Sequence, residues 1–270
     1  IHRSCRILVV QEHFQQKIRI QNPDAGKAGE VYLYAYGFRE NVMEAEQYDG
    51  LLEKRFREIL DRFRPDIVHC FGTEYPHTLA MVKAFGRPDR TLIGIQGLCS
   101  VYANYFRADL PDEVWNRTTF RDVIKSDSLP QQQSKYVLRG KYEMDAVKAV
   151  SHITGRTEWD RRYTKEWNPQ ALYHFMNETL RSNFYDGKWE PSQCRKHAIF
   201  ISQGDYPIKG LHYILRAMPQ ILDKFPDARL YVAGSSIIKT STRPGMEGFT
   251  GRLKLESYGK YILDLLKENH

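Results

Sequence analysis

The chain has 270 residues, and what it lacks narrows its chemistry early. Eighteen glycines are present, yet no two are separated by a single residue. That excludes the Gly-x-Gly-x-x-Gly turn of dinucleotide-binding βαβ units and the Gly-rich loop of protein kinases. Gly-Lys occurs four times but never before Ser or Thr, so there is no P-loop. Neither His-Glu-x-x-His nor Gly-x-Ser-x-Gly is found, which removes the common zinc-peptidase and serine-hydrolase patterns. No Asp-x-Asp is available to bridge a metal to a nucleotide sugar. The cysteines, Cys5, Cys70, Cys99 and Cys194, form no Cys-x-x-Cys pair and read as free thiols, Cys70 and Cys99 in apolar strand-like contexts. No apolar run approaches the ~20 residues of a membrane-spanning helix.

What is present is the material of a globular core: 41% hydrophobic, 27% charged and 13% aromatic residues. The net charge of +7 divides as +1 over residues 1–100, +3 over 101–196 and +3 over 197–270. So even a spread is not the concentrated patch of a nucleic-acid binder. It is compatible with anionic ligands and with peripheral contact at an anionic membrane surface.

Short apolar runs alternate with amphipathic stretches. Strands are expected at Arg6–Gln11, Glu30–Tyr36, Asp66–Phe71, Thr91–Gln96, His152–Gly155, Ala171–Phe175, His197–Ser202 and Ala228–Ala233. Helices are expected at Leu51–Phe63, Pro76–Phe85, Gln133–Val150, Thr157–Trp167 and Lys209–Phe225. A further helix is expected to begin in Asn177–Phe184, and Leu253–Lys267 reads as a last helix with no following element to pack against. Residues 99–133 read as loops and short helices of a mobile or substrate-shaping insertion. Strands alternating with helices imply parallel sheets and an α/β fold.

The segment from His197 to Gly210 (HAIFISQGDYPIKG) carries the most chemistry. A buried strand runs into a loop, and Lys209-Gly210 opens a helix. Free N–H groups and the positive dipole end suit a phosphate there, and the lysine adds a mobile charge. Taken alone, Lys209 reads more readily as a surface lysine near a helix start. Other strand ends carry polar groups as well. His69, Glu74 and His77 stand around the end of one strand and Gln96 ends the next. Arg156 and Trp159 follow a third, and Asn177, Glu178 and Arg181 a fourth. Each has a plainer reading, as core histidine, packing tryptophan or solvated helix face. Ligands in open α/β sheets gather at the carboxyl ends of strands, so their shared position favours a cleft rim.

The segments RPDIVHCFGTEYPHTLA, IGIQGLCSVYANYF, SHITGRTEWDRRY, MNETLRSNFY, IFISQGDYPIKGLHYILRAMP and ARLYVAG, in this order, resemble glycosyltransferase family 4, the glycosyl transferase group 1 enzymes of bacterial polysaccharide biosynthesis. The resemblance implies a GT-B fold of two Rossmann-like domains with parallel sheets. An N-terminal acceptor domain would span residues 1–184, a linker 185–196 and a partial C-terminal nucleotide-sugar domain 197–270. It implies that the first strand with its Gly-rich loop, and the donor-binding Glu-x7-Glu segment, are missing, so that this piece alone would be inactive. It implies a cytoplasmic enzyme that needs no metal or other cofactor. A sugar would pass from a nucleotide-sugar donor to a glycan or lipid-linked acceptor with retention, and no nucleic acid would be bound.

Lys209 matches the family's diphosphate-binding lysine, with Gly204 and Gly210 on the donor side. Gly204 stands where the family has an arginine, and Gln96 where many members have a histidine. His69 and Glu74 would join Lys209 as catalytic groups. His77, Gln96, Arg156, Trp159, Asn177, Glu178 and Arg181 would meet acceptor or sugar. A nucleotide-sugar epimerase of the same fold and a non-catalytic glycan- or protein-binding relative are the alternatives.

Overall fold

The computed structural model describes residues 5–12, 16–19, 31–38, 44–234 and 255–268. Glu30, Leu253 and Lys254, expected at element starts, lie outside them. The chain divides into two compact units, residues 1–100 with 138–177, and 101–137 with 178–270.

The first unit holds two sheets. Strands β1 (Cys5–Glu12), β2 (Gln16–Arg19) and β3 (Val31–Phe38) order as β1-β3-β2, the first pair parallel and the second antiparallel. The sequence reading passed over β2. Helix α1 (Gly50–Phe63) begins where the Asp49 carboxylate accepts from the Leu51 N–H. It ends at Arg64 in the left-handed conformation, φ 51°, just before Pro65. Its apolar stripe, Leu52, Phe56, Ile59 and Leu60, is buried. Most of that stripe packs with Phe38 and with Ala80 of α2 (His77–Phe85).

Strands β4 (Val68–Phe71), β5 (Thr91–Gly94), β6 (His152–Gly155) and β7 (Leu172–Phe175) form a parallel sheet in chain order. The register aligns Cys70, Ile93, Ile153 and Tyr173 in one row, of which the first three are buried. Side chains alternate across a sheet, so the rows on either side point the other way. Those rows are His69-Leu92-His152-Leu172 and Phe71-Gly94-Thr154-His174. On that face Phe71 and Leu172 are 63% and 59% exposed.

Helices α3 (Cys99–Tyr105) and α6 (Leu129–Lys148) each contribute residues to both units. Helix α6 starts four residues before the expected Gln133. Pro130 sits in its first turn, where a missing N–H costs nothing. Helix α7 (Glu158–Trp167) joins β6 to β7.

In the second unit β8 (Ala198–Ile201) and β9 (Arg229–Val232) pair in parallel, with α8 (Leu211–Lys224) as their crossover. Residues 101–137, which include most of the 99–133 stretch expected as a mobile or substrate-shaping insertion of the first domain, belong here. Their short helices α4 (Asp112–Trp115) and α5 (Phe120–Lys125) frame a core in which Phe106, Leu110, Val114 and Leu129 pack with Leu211, Leu215, Tyr258, Ile262 and Leu265. Burying side chains of this size contributes about 1.5–3 kcal/mol each, which holds the segment as core rather than leaving it as loop. The last helix, α9 (Ser257–Glu268), supplies three of those residues and packs against elements that precede it in the chain. The helix expected from Asn177 does not form. Residues 177–184 are irregular up to one 3-10 turn, Ser182–Phe184, and are almost wholly exposed, so no buried apolar face stabilises a helix there.

Candidate functional site

The strand ends of the first unit are built around glycines and buried carboxylates. Gly72 follows β4 with φ +96°, and a Cβ there would lie 2.5 Å from Glu74 Oε2. Its N–H donates to Gly94 O at 2.8 Å, and its carbonyl accepts from Thr78 Oγ1 at 2.8 Å. The tight turn folds Glu74 back over the strand end. Gln96 Cγ is 3.7 Å from the same point above Gly72, so these two expected site residues are brought together. Both are half-buried.

His77 is a packing ring. It stacks on Tyr75 at 6.0 Å and tilts against Phe38 at 5.7 Å. Arg139 of α6 lies 5.0 Å over the other aromatic partner, Tyr75. His69 belongs to β4 itself rather than to the loop after it. It is exposed on the open sheet face, with Nε2 3.0 Å from where a Gly94 Cβ would be. Partial desolvation holds its pKa below the usual histidine value, which favours the neutral ring.

The organising residue of this rim was not anticipated. Glu143, on α6, is 1% exposed. One of its oxygens accepts from Thr73 Oγ1 at 2.8 Å and Cys99 N at 3.1 Å. The other accepts from Ser100 N at 2.9 Å and Ser100 Oγ at 2.7 Å. One carboxylate thus ties the loops after β4 and β5 together and fills the N-terminus of α3. Burial raises its pKa against the pull of those donors. The sequence signal was a lone acid on an apolar stripe, three and four residues before the fully buried Ala146 and Val147. Gly140, one turn earlier, allows the approach. A Cβ on it would lie 2.4 Å from Ser100 Cα. Burial pushes the Cys70 and Cys99 thiols up to about 12, so neither is an activated nucleophile.

The end of β6 repeats the device. Asp160 Oδ2 accepts from Arg156 N at 2.9 Å and Thr157 N at 3.1 Å, while Thr157 Oγ1 accepts from Asp160 N at 3.1 Å. This capping box occupies the N-terminus of α7. The Tyr173 hydroxyl donates to Thr157 O at 3.2 Å; burial, then the nearby Asp160 charge, pushes its pKa up to about 12. The Arg156 side chain is exposed. Trp159 is 39% exposed and heads a run of rings, edge-on to Tyr163 and tilted from there to Trp167. Asn177 and Arg181 are exposed and Glu178 is half-buried, on irregular backbone after β7.

In the second unit β8 runs into the segment 202–210. Gly204 is buried, and a Cβ there would meet Leu211 Cδ2 and Val232 Cγ1 at 2.9 Å. This backbone therefore has no room for the arginine of the resembled family. Pro207–Lys209 make a 3-10 turn, Gly210 takes φ 78°, and α8 starts with no side-chain cap. Lys209 is exposed beside that open N-terminus.

The start of α8 is anchored from below. His212 is fully buried, with Nε2 2.8 Å from Ala108 O and Nδ1 3.0 Å from Tyr258 Oη. A carbonyl only accepts, so Nε2 carries the proton and Nδ1 accepts from tyrosine. Burial lowers the His212 pKa and keeps the ring neutral. Tyr213 donates to Asp109 Oδ2 at 2.9 Å. The two residues held, Ala108 and Asp109, have φ 48° and 52°, a left-handed turn that non-glycine residues adopt at a cost. An acidic crevice in this unit is lined by Asp122, Asp127, Asp205 and Glu256, among others. Arg121 bridges three of these acids at 3.2–3.4 Å.

Among the described residues no three histidine, cysteine or acidic side chains gather as a metal site, and no helix is long and apolar enough to cross a membrane. No protein-family model and no curated protein sequence matches the chain.

Proposed function

We propose a glycosyltransferase function that uses a nucleotide-sugar donor, in the manner of the GT-B enzymes of family 4. The observation that carries this reading is the uncapped N-terminus of α8, with Lys209 immediately before it at the end of a βα unit. Helices α3 and α7, which also follow strand ends, have their N-termini filled by Glu143 and Asp160.

In the reaction, the bond between the anomeric carbon and the diphosphate oxygen breaks, and its electron pair leaves with the diphosphate. The acceptor hydroxyl oxygen bonds to the anomeric carbon and releases its proton. Charge grows on the leaving diphosphate, and the Lys209 ammonium with the first α8 amides would meet it there. Glu74 and Gln96, side by side over Gly72, would orient sugar or acceptor hydroxyls. His77 has a packing role in this scheme.

Gly204 favours a second reading, a non-catalytic relative, because the backbone cannot carry the family's second diphosphate cation at that position. Calorimetric titration with nucleoside diphosphates separates the two. The transferase reading expects binding that weakens about tenfold, or ~1.4 kcal/mol, in Lys209→Ala. Absence of nucleoside diphosphate binding would favour the non-catalytic relative.

A further inference from the structure

The open face of the β4-β5-β6-β7 sheet carries a group of side chains that the transfer reaction does not use. His152 at the start of β6 and His174 on β7 face each other with Nδ1 of the first 3.0 Å from Nε2 of the second. Their rings are inclined by 34°. Thr154, two residues after His152 and in register with His174, lies on the same face. It is 1% exposed, and its hydroxyl has no hydrogen-bond partner. A buried hydroxyl left so is costly, and native proteins rarely tolerate one without a ligand or water to meet it. The position paired with Thr154 on β5 is Gly94, and a Cβ there would meet His69 Nε2 at 3.0 Å and the Thr154 methyl at 3.6 Å.

We infer that His152 and His174 chelate a divalent transition-metal ion, with Thr154 holding a metal-bound water. Imidazole is a ligand for nickel, copper and zinc, and the bonds run to about 2.0–2.1 Å. Two nitrogens 3.0 Å apart at that distance subtend roughly a right angle at the metal. That angle belongs to tetragonal or octahedral nickel and copper rather than to tetrahedral zinc. Both facing nitrogens must then be unprotonated, which places the ring protons on His152 Nε2 and His174 Nδ1. The metal then replaces the hydrogen bond between the two rings. The remaining coordination positions go to water, since no third protein ligand gathers among the described residues. His174 is exposed, so an ion reaches the pair directly from solvent. The bridge would pin β7, an edge strand of this sheet, to β6.

The test is titration of the full chain with nickel chloride in chelator-free buffer, followed by calorimetry. One strong site is expected, weakened about tenfold or more in both His152→Asn and His174→Asn, and by a smaller factor in Thr154→Val. Paramagnetic broadening of backbone amide signals by Ni2+ is expected to centre on β6 and β7, a readout that needs no variant to fold. Absence of a strong site would overturn the assignment. So would affinity that survives both asparagine substitutions, or broadening centred elsewhere.

Discussion

The helices that follow strands begin in different ways across the two units. In the first, the amides at the starts of α3 and α7 are met by the chain's own carboxylates, Glu143 and Asp160. In the second, α8 begins at Gly210 with no cap. A helix N-terminus is an anion site only while its donors are free. In the first unit the donors at α3 and α7 serve to fix loop geometry, while α2, which follows β4, starts without a side-chain cap; in the second, α8 starts without one beside a lysine. Under the proposed transferase reading, the first unit would hold neutral, hydroxyl-rich partners and the second a phosphate.

If the first rim is as rigid as its packing indicates, it breaks before anything else does. Gly140→Leu forces a side chain into Ser100 Cα and is expected to cost more than the roughly 1–3 kcal/mol of ordinary overpacking. Chemical denaturation would report it, and near-wild-type stability would show that α6 and α3 can separate there without penalty. Glu143→Ala comes next. It strands the Thr73 hydroxyl and the Cys99 and Ser100 amides, for an expected loss of about 3 kcal/mol.

Glu143→Gln sharpens the point through pH. The folded pKa of Glu143 lies above its ordinary value of 4.5. A raised carboxyl contributes stability that is full below the unfolded pKa, about 4.3, and is lost as pH rises through the folded one. Wild type should therefore lose ground to Glu143→Gln between about pH 4.5 and neutrality. A constant difference between their unfolding free energies across that range would mean that Glu143 titrates normally.

Much of this was legible in the sequence, and the failures have causes. The strands β4 to β9 and helices α1, α2, α7 and α8 follow from hydrophobic period and from punctuation by Pro65, Gly86 and Gly210. The polar strand ends were visible too, and Glu74 with Gln96 did come together. Periodicity could not show that residues 101–137 pack with α8 and α9, because the contacts that bury Phe106 and Leu110 span over a hundred residues. Nor could it show Glu143 as an anchor, since its partners, two hydroxyls and two backbone amides, come from residues far away in sequence. Gly204 looked like a lost arginine. The structure makes it a packing requirement, a distinction that rests on atoms of Leu211 and Val232.

Smaller effects test the α7 cap. Asp160→Ala removes the capping box and leaves the Arg156 and Thr157 amides unmet, for an expected loss of about 1 kcal/mol by thermal or chemical unfolding. A Ser or Asn at this position should recover part of the loss, because either can still accept from one amide. Equal instability of all three variants would mean that packing against Gly155, not capping, is what Asp160 supplies.

Lys209→Ala should leave stability almost untouched, within about 0.5 kcal/mol, because the side chain is exposed and its backbone turn is closed by main-chain bonds alone. A residue placed for a ligand and not for the fold has that signature, a silent unfolding curve beside a weakened nucleoside diphosphate titration. The reverse pattern, lost stability with unchanged binding, would place Lys209 among the structural residues and return the α8 N-terminus to an ordinary helix start. Inserting a cap of the first unit's kind sharpens the test further. Gly210→Asp offers a carboxylate to the α8 amides at the position where Gly210 now takes φ 78°. Strain at that backbone and competition with phosphate should both weaken binding. In Gly210→Asn, which tolerates the left-handed conformation and carries no charge, binding should suffer less. Equal losses in the two would point to the backbone rather than the open N-terminus as the feature that matters.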